Sequence, residues 1–335
     1  MSRTAWRRGS ARTALIAVLA LGLGGCGTFR ARPPAPPPAP QKVTAATVRV
    51  PRLGELPGLV GKMQHHKVAN QETLLDVARD ADLGFRELRD ANPGVDEWVP
   101  PPATDVTVPT RWILPRSRFR GLVVNVPEMR LYMFPVDARP GQQVSLLTWP
   151  VGIGVEEAQS PEGPFTVRSK DANPTWIVPA DIQRTMDSPQ KVVPPGPENP
   201  LGAYRIRLSK GLYSIHGTND PWSIGRLTTH GCIRLYPEDI ERLYPLVRPG
   251  MPGELVYQPV KLGEDGGRVF VEVHDDVYRR IPNFERYAQA EVRKAKLTAR
   301  VDPDLFKAAL HAKSGVPTDV TRGAAAPGTN PHAAR

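Results

Sequence analysis

The sequence predicts a mostly β chain with minor α content, a β-sandwich or barrel-like domain preceded by a small βααβ module. Three observations carry this. From Gly121 onward short apolar runs recur, each cut off by proline or glycine, which the 335-residue chain holds at 38 and 29 copies. Strands of that kind belong to sandwiches and barrels, whereas a parallel α/β sheet would separate them with long helical repeats. Between residues 61 and 115 the apolar spacing turns helical twice, between two strand-like runs. Beyond residue 23 no second long apolar run occurs, and 40% hydrophobic with 23% charged residues describes globular material with room for two domains.

The elements follow in order. Arg3, Arg7, Arg8 and Arg12 precede an apolar stretch, residues 13–23, too short to span a bilayer, and Gly24-Gly25-Cys26 comes next. These are the regions of a signal peptide over residues 1–25. Leu23-Gly24-Gly25-Cys26 resembles the lipobox of bacterial lipoproteins, which implies diacylation of Cys26 as the mature N-terminus. Gly27, where an aspartate would retain a lipoprotein in the inner membrane, implies the outer membrane and a periplasmic location. Arg7-Arg8 lacks the apolar residues of a twin-arginine signal, so export runs by the general route. Residues 26–60 read as lipid anchor and linker. Within them residues 31–41, Ala-Arg-Pro-Pro-Ala-Pro-Pro-Pro-Ala-Pro-Gln, run as extended polyproline at ~3.1 Å per residue, a stalk of roughly 30 Å. Net charge is +10. A basic surface suits nucleic acid, anionic lipid or an acidic polymer; export excludes nucleic acid and leaves envelope polymer or membrane, beside a merely well-solvated surface.

In residues 61–115, His66-Lys67-Val68 opens a strand. Leu74, Leu75, Val77 and Ala78 fit a helix after Thr73, residues 83–91 fit a second ended by Asn92-Pro93-Gly94, and Val106-Thr107-Val108-Pro109 alternates as a strand. The pattern resembles a LysM module, which implies binding of N-acetylglucosamine chains. Glu72-Thr73-Leu74, Ala91-Asn92-Pro93 and the closing strand carry the likeness; Gln71-Glu72 in place of Gly-Asp and the insert Pro100-Pro101-Pro102 depart from it.

In residues 118–260, runs at 122–126 and 129–134 flank the turn Pro127-Glu128 as a hairpin, and residues 144–153 and 163–167 read as further strands. Residues 194–200 form a proline-rich loop before a strand at 202–206, and Tyr213-Ser214-Ile215-His216 is another. Pro237 with Glu238 and Asp239 starts a helix whose Ile240, Leu243 and Tyr244 share a face. Residues 254–257 and 269–273 are strand-like. Residues 261–313 are a C-terminal strand and basic helical extension, its helix broken near Asp302-Pro303, and residues 314–335, rich in Ala, Gly, Pro and Thr, are expected to be disordered.

The chain holds two cysteines, Cys26 and Cys232. With Cys26 lipidated, Cys232 is a lone thiol in an oxidising compartment, where unpaired cysteines are a liability unless used. A thiol of pKa roughly 8.5 attacks only when an imidazole or positive potential assists it. His216 and His230 both lie upstream, and either could serve.

Ile215-His216-Gly217-Thr218-Asn219 with Thr229-His230-Gly231-Cys232-Ile233-Arg234-Leu235 resembles the signature of the L,D-transpeptidases, the YkuD domain. The likeness spans about residues 118–275, and Asn173-Pro174-Thr175-Trp176 and Asn199-Pro200-Leu201-Gly202 share it. It implies Cys232 as nucleophile and His216 as proton acceptor and donor, held through the Gly217 carbonyl. The backbone N–H groups of Gly231 and Cys232 are the expected oxyanion donors, and His230 is a positioning residue. Arg234 is expected to pair with a substrate carboxylate or brace its loop, and Thr229, Trp222 and Tyr204 are candidate substrate contacts, with core or cleft wall as the plainer reading of Trp222, Tyr204 and Trp176. The implied partners are peptidoglycan stem peptides and glycan, with a second stem, the lysine of an outer-membrane lipoprotein, or water as acyl acceptor. No cofactor or metal is implied, and carbapenems are expected to label Cys232.

Two other classes compete. His216, His230 and Cys232 are competent zinc ligands, yet His-Gly-Cys is awkward spacing on one ion and no HExxH pattern occurs. A non-catalytic wall-anchoring lipoprotein would require a decayed catalytic domain, although His216, Gly217, Gly231, Cys232 and Arg234 are all in place. The remaining histidines, His65, His66, His274, His311 and His332, read as surface or incidental.

Overall fold

The computed structural model describes residue 42 and residues 45–184 and 191–323. The leader, Cys26, the stalk at 31–41 and His332 lie outside the described residues. Among those described, no helix is long and apolar enough to cross a membrane.

The fold is mostly β. Its centre is a nine-stranded sheet built from β1 (Ala45–Arg49), β2 (Gly121–Asn125), β3 (Arg130–Phe134), β4 (Gln143–Pro150), β5 (Gly163–Ala172), β6 (Tyr204–Leu208), β7 (Ser214–His216), β8 (Ile233–Arg234) and β9 (Pro252–Val256). The spatial order is β1-β4-β3-β2-β9-β5-β6-β7-β8. Within this sheet the β2/β9 and β7/β8 pairs are parallel and the others antiparallel. The β2–β3 hairpin is the one expected at Pro127-Glu128, and residues 45–49, expected to be linker, are instead the edge strand β1, paired with β4 from Ala45↔Leu147 to Arg49↔Gln143.

Side-chain alternation puts two cores on opposite faces of this sheet. Leu122, Val124 and Leu131 join Ile206, Ile215, Ile233 and Ile240 on one face, while Val123, Tyr132 and Phe134 join Val48, Leu74, Val77, Leu88 and Trp112 on the other. The second face is closed by residues 61–115, which form Gln64–Lys67, α1 (Leu74–Asp80), α2 (Phe85–Ala91) and Asp105–Val108, the order expected for that segment. Its outer strands pair antiparallel, Thr73 caps α1 in a capping box with Asp76, and Asn92 ties the end of α2 to the closing strand.

This segment shares its core with the sheet rather than hanging from it. Leu59 and Val60, also expected as linker, pair together with Gly61 of the module against Arg111–Ile113. Arg130 of β3 is fully buried, its guanidinium gripping both Glu87 oxygens of α2 at 2.8 and 2.9 Å and donating to Thr148 Oγ1 and the Asp82 carbonyl. Trp112 donates its indole N–H to Glu87 and lies 4.1 Å beneath the guanidinium. That buried charge is met by a carboxylate and by further acceptors around it, which is what makes its burial tolerable.

The C-terminal region is a hairpin, Val260–Asp265 with Arg268–Val273, joined by Thr318–Asp319 and covered by α5 (Phe284–Lys294) and α6 (Pro303–Ala312), with α3 (Ala180–Gln183) and α4 (Pro237–Leu243) lying earlier in the chain. The strand Val260–Asp265 escapes pattern reading because Lys261 interrupts its apolar run, and Lys261 is buried between Glu128 at 2.8 Å and Glu272 at 2.6 Å. His274 and His66, read as incidental, are buried and bonded to Glu272 and Glu72. Residues 314–323, expected to be disordered, are ordered: Val320 is fully buried and Arg322 donates to the carbonyls of Ala299 and Val301. One buried valine and one paired strand outweigh a tail-like composition.

Candidate active site

The β6–β7–β8 end of the sheet carries the thiol. Register sets Arg205 opposite His216 and Arg207 opposite Ser214, and on the other side Ile215 opposite Ile233 and His216 opposite Arg234. Ile206, Ile215 and Ile233 face the core, so the residues alternating with them face the opposite side. There Arg205, Arg207, His216, Cys232 and Arg234 line one cavity of about 610 Å³. Trp176, Ile177, Val178 and Ile182 form one wall, and Leu201, Leu212 and Tyr213 contribute to the rest.

The cysteine loop is locked from within. The Thr229 hydroxyl donates to the Cys232 carbonyl at 2.7 Å and accepts the Gly231 N–H at 3.0 Å. Gly231 has φ +97°, and a Cβ there would sit 2.4 Å from the Tyr213 ring, so only glycine fits. Ahead of the loop, Gly225 at φ +77° lies against Gly84 of the helical segment, a Cβ on it falling 2.3 Å from the Phe85 nitrogen. Phe85 N–H donates to the Ile224 carbonyl, Tyr236 O–H to the Leu83 carbonyl, and Arg79 forks onto Glu238, so the segment at 61–115 braces both flanks of the cysteine loop.

His216 is buried, with Nδ1 2.6 Å from the Gly217 carbonyl. A carbonyl only accepts, so Nδ1 carries the proton and Nε2 is left with its lone pair. Burial, reinforced by the Arg234 charge, lowers the His216 pKa to about 3 against the opposing pull of the Gly217 carbonyl. The imidazole is therefore neutral at ordinary pH. Cys232 is half-buried; burial pushes its thiol up, while the neighbouring Ser214 and the charges of Arg205 and Arg234 pull it back.

The residues predicted from sequence divide into two groups. Cys232, His216, His230, Thr229 and Arg234 all line the cavity, His230 exposed at its surface. Thr229 is not a free substrate contact, because its hydroxyl is engaged inside the loop, and for the same reason the Gly231 N–H is already bonded and not open to an oxyanion. Trp222, 48% exposed on a turn of 3₁₀ helix, and Tyr204, its ring tilted against Tyr244 at 4.4 Å, do not line the cavity, whereas Trp176 does. Cys26 lies outside the described residues. Arg205 and Ser214 escape sequence reasoning because an arginine and a serine in alternating strands carry no motif; only the register brings them to the thiol.

Arg234 Nε and Thr228 Oγ1 are buried without a hydrogen-bond partner among the described residues. Buried donors left open beside a thiol suit a carboxylate-bearing ligand. Among the described residues, no aspartate or glutamate lines the cavity. The one grouping of possible metal ligands among the described residues, Glu128, Glu272 and His274, lies elsewhere around the Lys261 ammonium, not at Cys232.

The profile of the L,D-transpeptidase catalytic domain, YkuD, matches residues 120–261. The chain is 35% identical over 285 residues to the probable L,D-transpeptidase YcfS of Escherichia coli K12, covering 81% of this chain and 88% of that one. It is 34% identical over 266 residues to the probable L,D-transpeptidase ErfK/SrfK, covering 76% and 84%, and 33% identical over 288 residues to the probable L,D-transpeptidase YbiS, covering 82% and 92%, both from the same organism.

Proposed function

This chain belongs to the L,D-transpeptidase family and is a transpeptidase, and from that premise we propose that it works through a thioester on Cys232, acting on the tetrapeptide stems of peptidoglycan. The observation that carries this reading is the cavity in which a thiol, a neutral histidine of fixed tautomer and the open Arg234 donor converge.

His216 Nε2 takes the Cys232 proton, and the thiolate attacks the carbonyl carbon at the L-centre of diaminopimelate, forming a C–S bond and an oxyanion. With the Gly231 N–H engaged, the Cys232 N–H is the remaining backbone donor of the expected pair. As the oxyanion collapses the C–N bond breaks, the amine of D-alanine takes the proton from His216, and a thioester remains. An imidazolium whose pKa is about 3 gives up its proton readily, so the burial that disfavours charging His216 favours the leaving step. An acceptor amine then attacks the thioester, returns one proton to His216, and releases Cys232 as thiolate. Arg234 holds a carboxylate of the stem.

The acceptor is a second stem, giving a 3-3 cross-link, or the lysine of an outer-membrane lipoprotein; water would make the enzyme a carboxypeptidase. We place the protein in the periplasm, anchored through lipid on Cys26 to the outer membrane, on the strength of its leader pattern. Residues 61–115 serve there as a LysM-like contact to glycan, supported by their βααβ order.

The test is incubation of the purified protein with a disaccharide tetrapeptide and an amine acceptor, beside Cys232→Ala. D-alanine release and a thioester mass on the unaltered chain alone are expected, and product masses name the acceptor. No release from either protein would refute the reading.

A further inference from the structure

A nucleophilic thiol needs its negative charge held, and the neutral His216 offers no resting imidazolium to hold it. The charge must come from elsewhere. The β6–β7–β8 register supplies it: Ile215 sits opposite Ile233, which brings Ser214 beside Cys232, and Arg207 opposite Ser214 brings Arg205, two residues along the same face, into reach. Arg205 Nε donates to Ser214 Oγ at 2.8 Å. Ser214 is fully buried, so its hydroxyl has no bulk water to turn to.

We infer that Arg205 and Ser214 are positioning residues for Cys232, Arg205 fixing the Ser214 hydroxyl so that its one proton is donated to the thiolate sulfur. A hydroxyl has one proton and two lone pairs. With a guanidinium N–H on one lone pair, the proton is turned away from Arg205 and toward Sγ, and the pair passes positive potential to the sulfur through a single bonded atom. The register sets Ser214 beside Cys232 on the parallel neighbouring strand, and Ser214 favours the thiolate against the burial that disfavours it. Of the other charged or titratable groups lining the cavity, Arg234 also favours the thiolate by its charge, without passing through Ser214. Arg207 is paired with Asp171 at 2.7 Å, His216 is bonded to Gly217, Arg234 keeps its Nε open, His230 is exposed, and Tyr213 packs on Gly231.

The inference rests on Cys232 being the nucleophile, and its test does not depend on acyl transfer, so the two fail separately. The rate of alkylation of Cys232 by iodoacetamide is followed against pH in the full chain, and its midpoint reads the thiol pKa. Ser214→Ala is expected to raise the midpoint by about one pH unit, the shift of one hydrogen bond to a charged group. Arg205→Gln is expected to raise it as well, and the two changes together to move it by less than the sum, because both interrupt one path. Should Ser214→Ala unfold the chain, Arg205→Lys decides the matter: it keeps the charge that acts directly on the sulfur but not the Nε–H held on Ser214 Oγ, so a raised midpoint supports the relay and an unchanged one overturns it. An unchanged midpoint in the folded variants, or shifts that add in full, would overturn the relay. D-alanine release measured in parallel reports on the transpeptidase reading alone.

Discussion

The molecule sets arginines at two places along its central sheet, Arg130 fully buried and Arg234 partly so, and treats them in opposite ways. Arg130, on the face closed by residues 61–115, directs its donors at Glu87, Thr148 and the Asp82 carbonyl and lies against Trp112. Arg234, beside Cys232, has its buried Nε unmatched; the Asp220 carboxylate attracts it from outside the cavity lining without satisfying that nitrogen. A saturated buried charge is part of the structure, whereas an open one is an appetite for ligand. The same residue type thus marks scaffold in one place and site in the other, and the difference lies in the partners.

Substitutions at the two places should therefore separate activity from stability. The largest effect is expected at the thiol: Cys232→Ala should abolish D-alanine release, a loss of about 10⁴-fold or more, while the urea midpoint stays put. Incubation with meropenem should give one adduct on the unaltered chain and none on Cys232→Ala, read by intact-protein mass spectrometry. At the saturated pair the sign reverses. Glu87→Ala strands the Arg130 charge in the core and should cost about 3–5 kcal/mol in urea unfolding, with the chemistry impaired only as far as folding is. A stable Glu87→Ala variant would show that the module is not tied to the sheet through this pair.

Much of this division is legible in the amino-acid sequence. The Thr229-His230-Gly231-Cys232 stretch and His216 name the chemistry, and the βααβ order of residues 61–115 follows from helical spacing and Asn92-Pro93-Gly94. What sequence does not reveal is which neighbours a buried polar group finds. Glu87 and Arg130 are 43 positions apart, and nothing local says they meet, so the module reads as a bead on a linker when it shares a core with the sheet. Lys261 conceals a strand for the same reason, its partners Glu128 and Glu272 being remote. Thr229 errs the other way: its place in the motif suggests a substrate contact, and its hydroxyl turns inward to hold the loop. Arg205 and Ser214 are found only through strand register.

A subtler break of the comparison is Arg234→Met. It removes an open donor rather than a met one, so stability should hold or rise slightly, while KM for the tetrapeptide should increase about 10- to 100-fold, the worth of a charged hydrogen-bonding pair. A loss of stability like that at Glu87 would place Arg234 with the scaffold.

The smallest effect concerns His216, whose burial is a cost the site bears for its chemistry. Its pKa falls from an ordinary value near 6.5 to about 3 on folding, so below about pH 6.5 the unfolded chain takes up a proton that the folded chain refuses. Stability from this group is complete above the unfolded pKa and is lost as pH falls toward about 3. At pH 5.5 the deficit should be about 1 kcal/mol relative to pH 8. Urea unfolding of the unaltered chain and of His216→Asn at the two pH values isolates it, since asparagine does not titrate and the other groups are common to both. A difference that vanishes between the two proteins would mean that His216 is already charged in the folded state, and the neutral resting imidazole would have to be abandoned. A difference of the expected sign fixes the base as neutral, and the pH dependence of turnover above that range then belongs to the thiol, rising as the Cys232 proton is lost.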